Sequence, residues 1–320
     1  MTVVSVAPRA DKTVVVLGTG GTMAGRAASR DDHVGYTAGE VGVDQLLAGV
    51  PDLAAWRLEA EQVAQIDSKD MGLDLWLRLL ARARHHLARP EVAGVVVTHG
   101  TDTLEETAYW LHALLATDKP VVLTAAMRPA TALVPDGPQN LLDAVALAGT
   151  GCVSGVVCVV AGQVMSATDV SKAHTYRTDA FSCGDAGPLG WIEAGQWRPL
   201  RANVAGGQWA QLALPEATQW PRVELVFSHA GQDGALVRAL MASPSDRPAG
   251  WVVAGTGNGT IHRDLAGALQ QAQAMGCRVL RATRCAQGRV LGEHAQWPTA
   301  PVASPYKARI WLMLELLAAA

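Results

Sequence analysis

Short apolar runs alternate along the chain with stretches in which apolar positions recur every three or four residues. The runs at 13–17, 57–66, 94–98, 120–125 and 155–160 predict strands, and the segments at 43–47, 73–87, 103–115 and 137–148 predict helices. Such alternation implies a mostly parallel sheet with helices on both faces. The rhythm breaks at 187–200, where Gly187-Pro188, Gly195-Gln196 and two tryptophans predict a hairpin that closes a first domain. Residues 201–221, rich in Ala, Gln, Gly and Pro without clear periodicity, read as a linker. A second set follows, with strands at 223–227, 251–254 and 278–282 and helices at 235–241, 265–274 and 307–317. The expected architecture is two-domain α/β. A larger N-terminal, flavodoxin-like, mostly parallel sheet occupies 1–200, and a smaller C-terminal α/β domain occupies 222–320.

Composition narrows the picture. At 320 residues the chain exceeds the size at which single cores usually stop growing, which agrees with two domains. Its 49% hydrophobic and 17% charged residues, with 32 glycines, fit a turn-rich α/β enzyme rather than a disordered chain. A net charge of −3 supplies no field for nucleic acid. The basic stretch 78–89 reads as a solvated helix face, with Arg78, Arg82, His85, His86 and Arg89 opposite Leu75, Leu79, Leu80 and Leu87. No run reaches the roughly eighteen apolar residues of a membrane span, and 1–12 lack a secretory apolar core, so a cytoplasmic location without membrane partners is expected. Five cysteines without a Cys-x-x-Cys pair suggest no disulfide framework, and the nine histidines lack ligand spacing, so no metal or cofactor is expected.

Two threonine clusters stand where strands run out: Gly18-Thr-Gly-Gly-Thr-Met-Ala-Gly25 and Thr98-His-Gly-Thr-Asp-Thr103. Ligands of open parallel sheets bind beyond the carboxyl ends of the strands, which makes Thr22 and Thr101 candidate site residues. A dinucleotide fingerprint fails because Met23 occupies the third glycine position, and no phosphate-loop Lys-Ser/Thr follows. Taken alone, Thr22 reads equally well as a helix cap. Thr103 with Glu106 predicts a capping box, which leaves Thr101 and Asp102 presented just before a helix. His99 has no evident acidic partner and reads as structural. Ser68, Lys69, Lys172 and Asn258 stand at other turns, each individually an ordinary turn residue. Tyr36 lies in a polar stretch that reads as a lid or an exposed loop.

Eight segments occur in one order: Thr19-Gly-Gly-Thr-Met-Ala-Gly25, Gly35-Tyr-Thr-Ala-Gly39, Asp67-Ser-Lys-Asp-Met71, His99-Gly-Thr-Asp-Thr-Leu-Glu-Glu-Thr-Ala108, Ala126-Met-Arg-Pro129, Asp136-Gly-Pro138, Asp169-Val-Ser-Lys172 and Gly257-Asn-Gly259. Together they resemble the bacterial-type L-asparaginase and glutaminase-asparaginase family over nearly the whole chain. The resemblance implies hydrolysis of L-asparagine to L-aspartate and ammonia through a threonine acyl-enzyme. Thr22 then matches the nucleophile, Tyr36 the loop tyrosine that closes over it, and Thr101, Asp102 and Lys172 the second catalytic group. Ser68 and Asp102 match holders of the substrate's carboxylate and amino ends. Asn258 matches a residue contributed across a subunit interface, which implies a homotetramer built as a dimer of dimers. The substrate-binding set becomes Gly21, Ser68, Lys69, Gly100, Thr101, Asp102, Asn258 and Glu293, the last standing for the family's interfacial acid.

The chemistry suits these residue types. A threonine hydroxyl needs a partner that removes its proton during attack, and Tyr36 or a Thr101–Lys172–Asp102 relay could serve. Lysine acts as a base only with a lowered pKa, which a nearby Asp102 carboxylate opposes. Backbone N–H groups near Gly100 and at the Gly20 turn suit an oxyanion. Three positions depart from the family pattern: Lys69, where Gln, Glu or Ser is common; Met23, in place of a β-branched residue; and the shorter segment after Cys285. Discrimination against one extra methylene is worth only about 1–3 kcal/mol, so side activity on L-glutamine is compatible with the pattern. The alternative is a catalytically impaired amino-acid-binding sensor of the same fold.

Overall fold

The computed structural model describes residues 4–8, 11–25, 29, 37, 39–292, 294 and 296–320. It divides into two compact units, 1–210 and 211–320. The strands of the first unit are β1 (Val4–Ser5), β2 (Thr13–Gly20), β3 (Leu58–Ile66), β4 (Val92–Thr98), β5 (Pro120–Thr124), β6 (Gly155–Val160), β7 (Gln163–Ser166), β8 (Ser171–Lys172), β9 (Phe181–Ser182), β10 (Gly190–Glu193) and β11 (Gln196–Pro199). Its helices are α1 (Val43–Ala48), α2 (Leu73–Leu87), α3 (Leu104–Leu114) and α4 (Gly137–Thr150).

Nine strands form one sheet in the order β1-β11-β10-β7-β6-β5-β4-β2-β3, while β8 and β9 pair separately. The half from β6 to β3 is parallel, and every pair from β6 to β1 is antiparallel. The central strands β2 and β5 are buried along their whole length, as strands covered on both faces must be. Edge strand β3 is only partly covered and carries charged residues between its apolar ones. The predicted hairpin is β10–β11, and it extends the large sheet through β7. β1, β7, β8 and β9 were not foreseen, because two to four residues are too few to register a period.

Helix α2 buries Trp76, Leu79, Leu80 and Ala83, one stripe at helical spacing. Its basic side departs from the solvated face expected above. Arg82 grips Glu61 through Nε and Nη2 at 2.5 and 2.8 Å, and buried His86 reaches the same carboxylate at 2.7 Å. Arg89 spans Glu59 and Glu91, so the basic stretch is fastened to β3 and to the turn before β4. Helix α4 starts with Pro138 in its first turn and stops at Gly151, whose φ of 66° lies in the left-handed region.

In the second unit β12 (Val223–Phe227), β13 (Gly250–Gly255) and β14 (Arg278–Thr283) form a parallel three-stranded sheet. Helices α5 (Ala235–Ala242), α6 (Arg263–Ala274) and α7 (Pro305–Ala318) accompany it. Trp251, Val253, Leu265, Leu269 and Trp297 lie in its core. No helix among the described residues is long and apolar enough to cross a membrane.

Candidate active site

The chain leaves β2, pairs β3 on one side of it, and then places β4 on the other. The carboxyl ends of β2 and β4 therefore flank the point where strand order reverses, the usual ligand crevice of an open α/β sheet. Both threonine clusters emerge there, and Thr19 Oγ1 donates to the Thr98 carbonyl at 2.9 Å. Gly20 and Gly21 have φ of 104° and 83°, and the Gly21 N–H donates to Ile66 O on β3 at 2.9 Å. The clusters touch through their glycines. A Cβ on Gly21 would stand 2.4 Å from the Cα and N of Gly100, and one on Gly100 would stand 2.4 Å from Ser68 Oγ. Only glycine permits that approach of the two backbones and the Ser68 side chain.

Thr22 is buried and opens a single 3₁₀ turn, Thr22–Ala24; the N-cap is Gly21. Its helix-cap reading is therefore set aside. Across the crevice, Lys172 Nζ from β8 donates to Thr101 Oγ1 at 2.8 Å and to Asp102 Oδ1 at 2.5 Å. Because the ammonium has only donors, the Thr101 hydroxyl keeps its own proton for another acceptor. Lys172 is mostly covered, whereas the Asp102 carboxylate is half exposed and reachable by a ligand. Ser68 sits buried in the turn after β3, where its Oγ accepts from the Asp102 N–H at 3.2 Å.

The same turn corrects the expected capping box. Thr103 is the N-cap of α3, but its side chain makes no capping bond and instead donates to the Ser68 carbonyl at 2.7 Å. The local helix signal lost to a tertiary contact that ties two site loops together. Lys69 is exposed and turned onto its flanking acids, Asp67 at 3.6 Å and Asp70, both of which raise its pKa. Met23 is buried, and its Cγ would lie 2.9 Å from a Cβ on Gly137, so an unbranched side chain fits beside that glycine.

Asn258 belongs to the second unit. Its side chain holds Leu291 from both sides, with Nδ2 donating to Leu291 O at 3.0 Å and Oδ1 accepting from Leu291 N at 2.7 Å. Tyr36 and Glu293 lie outside the described residues. Two contributors escaped the sequence reading. Glu105 Oε1 accepts from the Lys172 N–H at 3.4 Å, and Thr107 bonds buried His99. Both sit on α3 directly after the second cluster, where helix periodicity masks a polar residue facing inward. Burial pushes His99 down to about 4, so its imidazole is neutral at physiological pH. None of the five cysteines is in a disulfide, and no group of three His, Cys, Asp or Glu among the described residues could hold a metal.

Comparison with known proteins fits this geometry. Residues 13–204 match the model of the asparaginase N-terminal domain, and 222–319 match the glutaminase/asparaginase C-terminal domain. The chain is 35% identical to the glutaminase-asparaginase of Pseudomonas fluorescens biotype A, over 95% of this chain and 86% of that protein. It is 36% identical to L-asparaginase 2 of Escherichia coli strain K12, over 95% and 88%. The crystal structure of a probable cytoplasmic L-asparaginase from Campylobacter jejuni superposes with a TM-score of 0.89 at 37% identity, covering 95% of each chain. With both domain models matched in order and a threonine–lysine–aspartate group at the strand-order reversal, the chain belongs to the asparaginase/glutaminase family of amidohydrolases.

Proposed function

We propose that this enzyme hydrolyses the side-chain amide of L-asparagine to L-aspartate and ammonia, with side activity on L-glutamine. The observation that carries the reading is the Lys172 bridge to Thr101 and Asp102, set at the strand-order reversal beside the buried Thr22 turn. Thr22 Oγ1 attacks the amide carbon, and its proton passes through the site's acid–base group to the departing amine as the C–N bond breaks. Water then cleaves the resulting ester, releases aspartate and restores the threonine hydroxyl. Tyr36 and the Thr101–Lys172–Asp102 group share the proton handling. Ser68 and Asp102 hold the substrate's charged ends, and backbone N–H groups around Gly100 and Thr101 face the oxyanion. A site lined by both a carboxylate and N–H donors suits a zwitterionic amino acid.

The active assembly in this reading is a homotetramer built as a dimer of dimers, with Asn258 and Glu293 supplied by a neighbouring subunit. The C-terminal domain, 222–320, completes the site, and 201–221 links the domains. Cytoplasmic residence is supported by five cysteines that form no disulfide and by the likeness to the Campylobacter protein. Ammonia release from asparagine and glutamine tests the activity. Thr22→Ala and Thr101→Val should each lower kcat on asparagine by about a thousandfold or more while the protein stays folded. Wild-type turnover in both variants would remove the assigned roles.

A further inference from the structure

A buried polar chain runs from α2 through α3 into the second threonine cluster. Trp76 Nε1 lies 2.9 Å from Thr107 Oγ1, Thr107 Oγ1 lies 2.9 Å from His99 Nε2, and His99 Nδ1 lies 2.7 Å from the carbonyl oxygen of Gly100. The direction of every proton follows from the groups at the two ends. An indole nitrogen only donates, and a carbonyl only accepts. Trp76 therefore donates to Thr107, and His99 Nδ1 carries the proton given to Gly100. His99 is neutral, which makes Nε2 an acceptor of the Thr107 hydroxyl. One tautomer satisfies all three bonds.

The anchor of the chain is rigid. Trp76 stacks on Trp110 with ring centroids 5.2 Å apart, and Trp110 Nε1 donates back to the Trp76 carbonyl at 3.2 Å. His99, Thr107 and Trp110 are wholly buried, so water does not compete for the bonds. The far end is the crowded point of the site, where Gly100 meets Gly21 and Ser68. In a trans peptide the carbonyl and the following N–H point in opposite directions. A hydrogen bond that holds Gly100 O toward the imidazole thus aims the Thr101 N–H away from it and sets the plane from which the Thr101 side chain rises toward Lys172.

We infer that His99, as its Nδ1–H tautomer set by Thr107 and Trp76, is a positioning residue that fixes the Gly100–Thr101 peptide for catalysis. It touches neither substrate nor nucleophile and acts through Thr101. The inference rests on the amide hydrolysis proposed above. A side chain that only filled space would be replaceable by any neutral group of similar volume. A positioning donor has to be placed at the δ position.

Two substitutions separate these roles. His99→Asn keeps an N–H at the δ position and leaves a void, whereas His99→Gln fills more volume and moves its amide to the ε position. For asparagine hydrolysis by the full-length enzyme, kcat should fall about a hundredfold in His99→Gln and clearly less in His99→Asn, with KM changed by under about threefold in both. Thr107→Val should fall with His99→Gln, and Thr107→Ser should restore most of the loss. Equal kcat in the Asn and Gln variants, or a higher value for Gln, overturns the inference. Histidine-selective ¹⁵N spectra of the wild type supply a readout independent of turnover. The resonance pair that vanishes in a His99 variant should have a protonated Nδ1 and an unprotonated Nε2, and the reverse pattern overturns the inference even if asparagine proves not to be the substrate. Absence of ammonia release by the wild type, with the expected tautomer present, would instead count against the proposed function alone.

Discussion

Lys172 places one ammonium against a hydroxyl and a carboxylate from consecutive residues, Thr101 and Asp102. Lys172→Met keeps the stem and removes the donors, and should lower kcat on asparagine by about 10²–10⁴-fold, read by coupled ammonia assay. Two buried titratable residues act on stability with opposite sign. Burial raises Asp143 from 3.8 to about 6, with only Gln139 Nε2 at 2.8 Å opposing it, so this carboxyl favours the fold below pH ~4 and that contribution is lost as pH rises to ~6. Burial lowers His99 from 6.5 to about 4, so its contribution is lost as pH falls through the same window. In the wild type the two slopes oppose each other. Asp143→Asn should raise the unfolding free energy at pH 7 by up to about 3 kcal/mol, and should make stability fall more steeply than in the wild type between pH 6.5 and 4. Urea titrations across that range check both statements. Neither shift was readable from the sequence, where Asp143 is one more polar residue on a helix and His99 one more turn residue.

At the scale of elements, three turns converge, and the glycines in them decide whether they can. Gly21 combines a φ of 83° with direct contact on the Gly100 backbone. Gly21→Ala should therefore cost at least about 2 kcal/mol and depress turnover together with thermal midpoint. The strands covered on both faces, β4, β5 and β6, were legible from their uninterrupted apolar runs, and α2 from its periodic apolar stripe. Short antiparallel β7 and the β8–β9 pair were not, although β8 delivers Lys172 to the site. Two-residue strands exist only because a partner pairs with them. The capping box at Thr103 failed for a related reason, since the Ser68 carbonyl competed for its hydroxyl and won.

For the whole molecule, the proposed sharing of Asn258 between subunits has a measurable consequence. Thr22→Ala and Asn258→Ala chains, each inactive or weak, should regain about a quarter of wild-type activity when unfolded and reassembled together. Half of the tight dimers are then mixed, and one of their two sites is intact. Sedimentation of the wild type should report four chains. The sequence by itself determined the α/β layering, since periods of two and 3.6 are local properties of side-chain direction, and it marked the two threonine clusters as strand ends. Its ordered set of motifs also identified the family. Only the tertiary structure decided which strand ends face each other, that Lys172 bridges Thr101 and Asp102, and that Trp76 on α2 reaches Thr107 on α3. Those contacts join residues from distant parts of the chain, and hydrogen bonds at that separation are set by sheet order and backbone approach, which leave no period in the sequence.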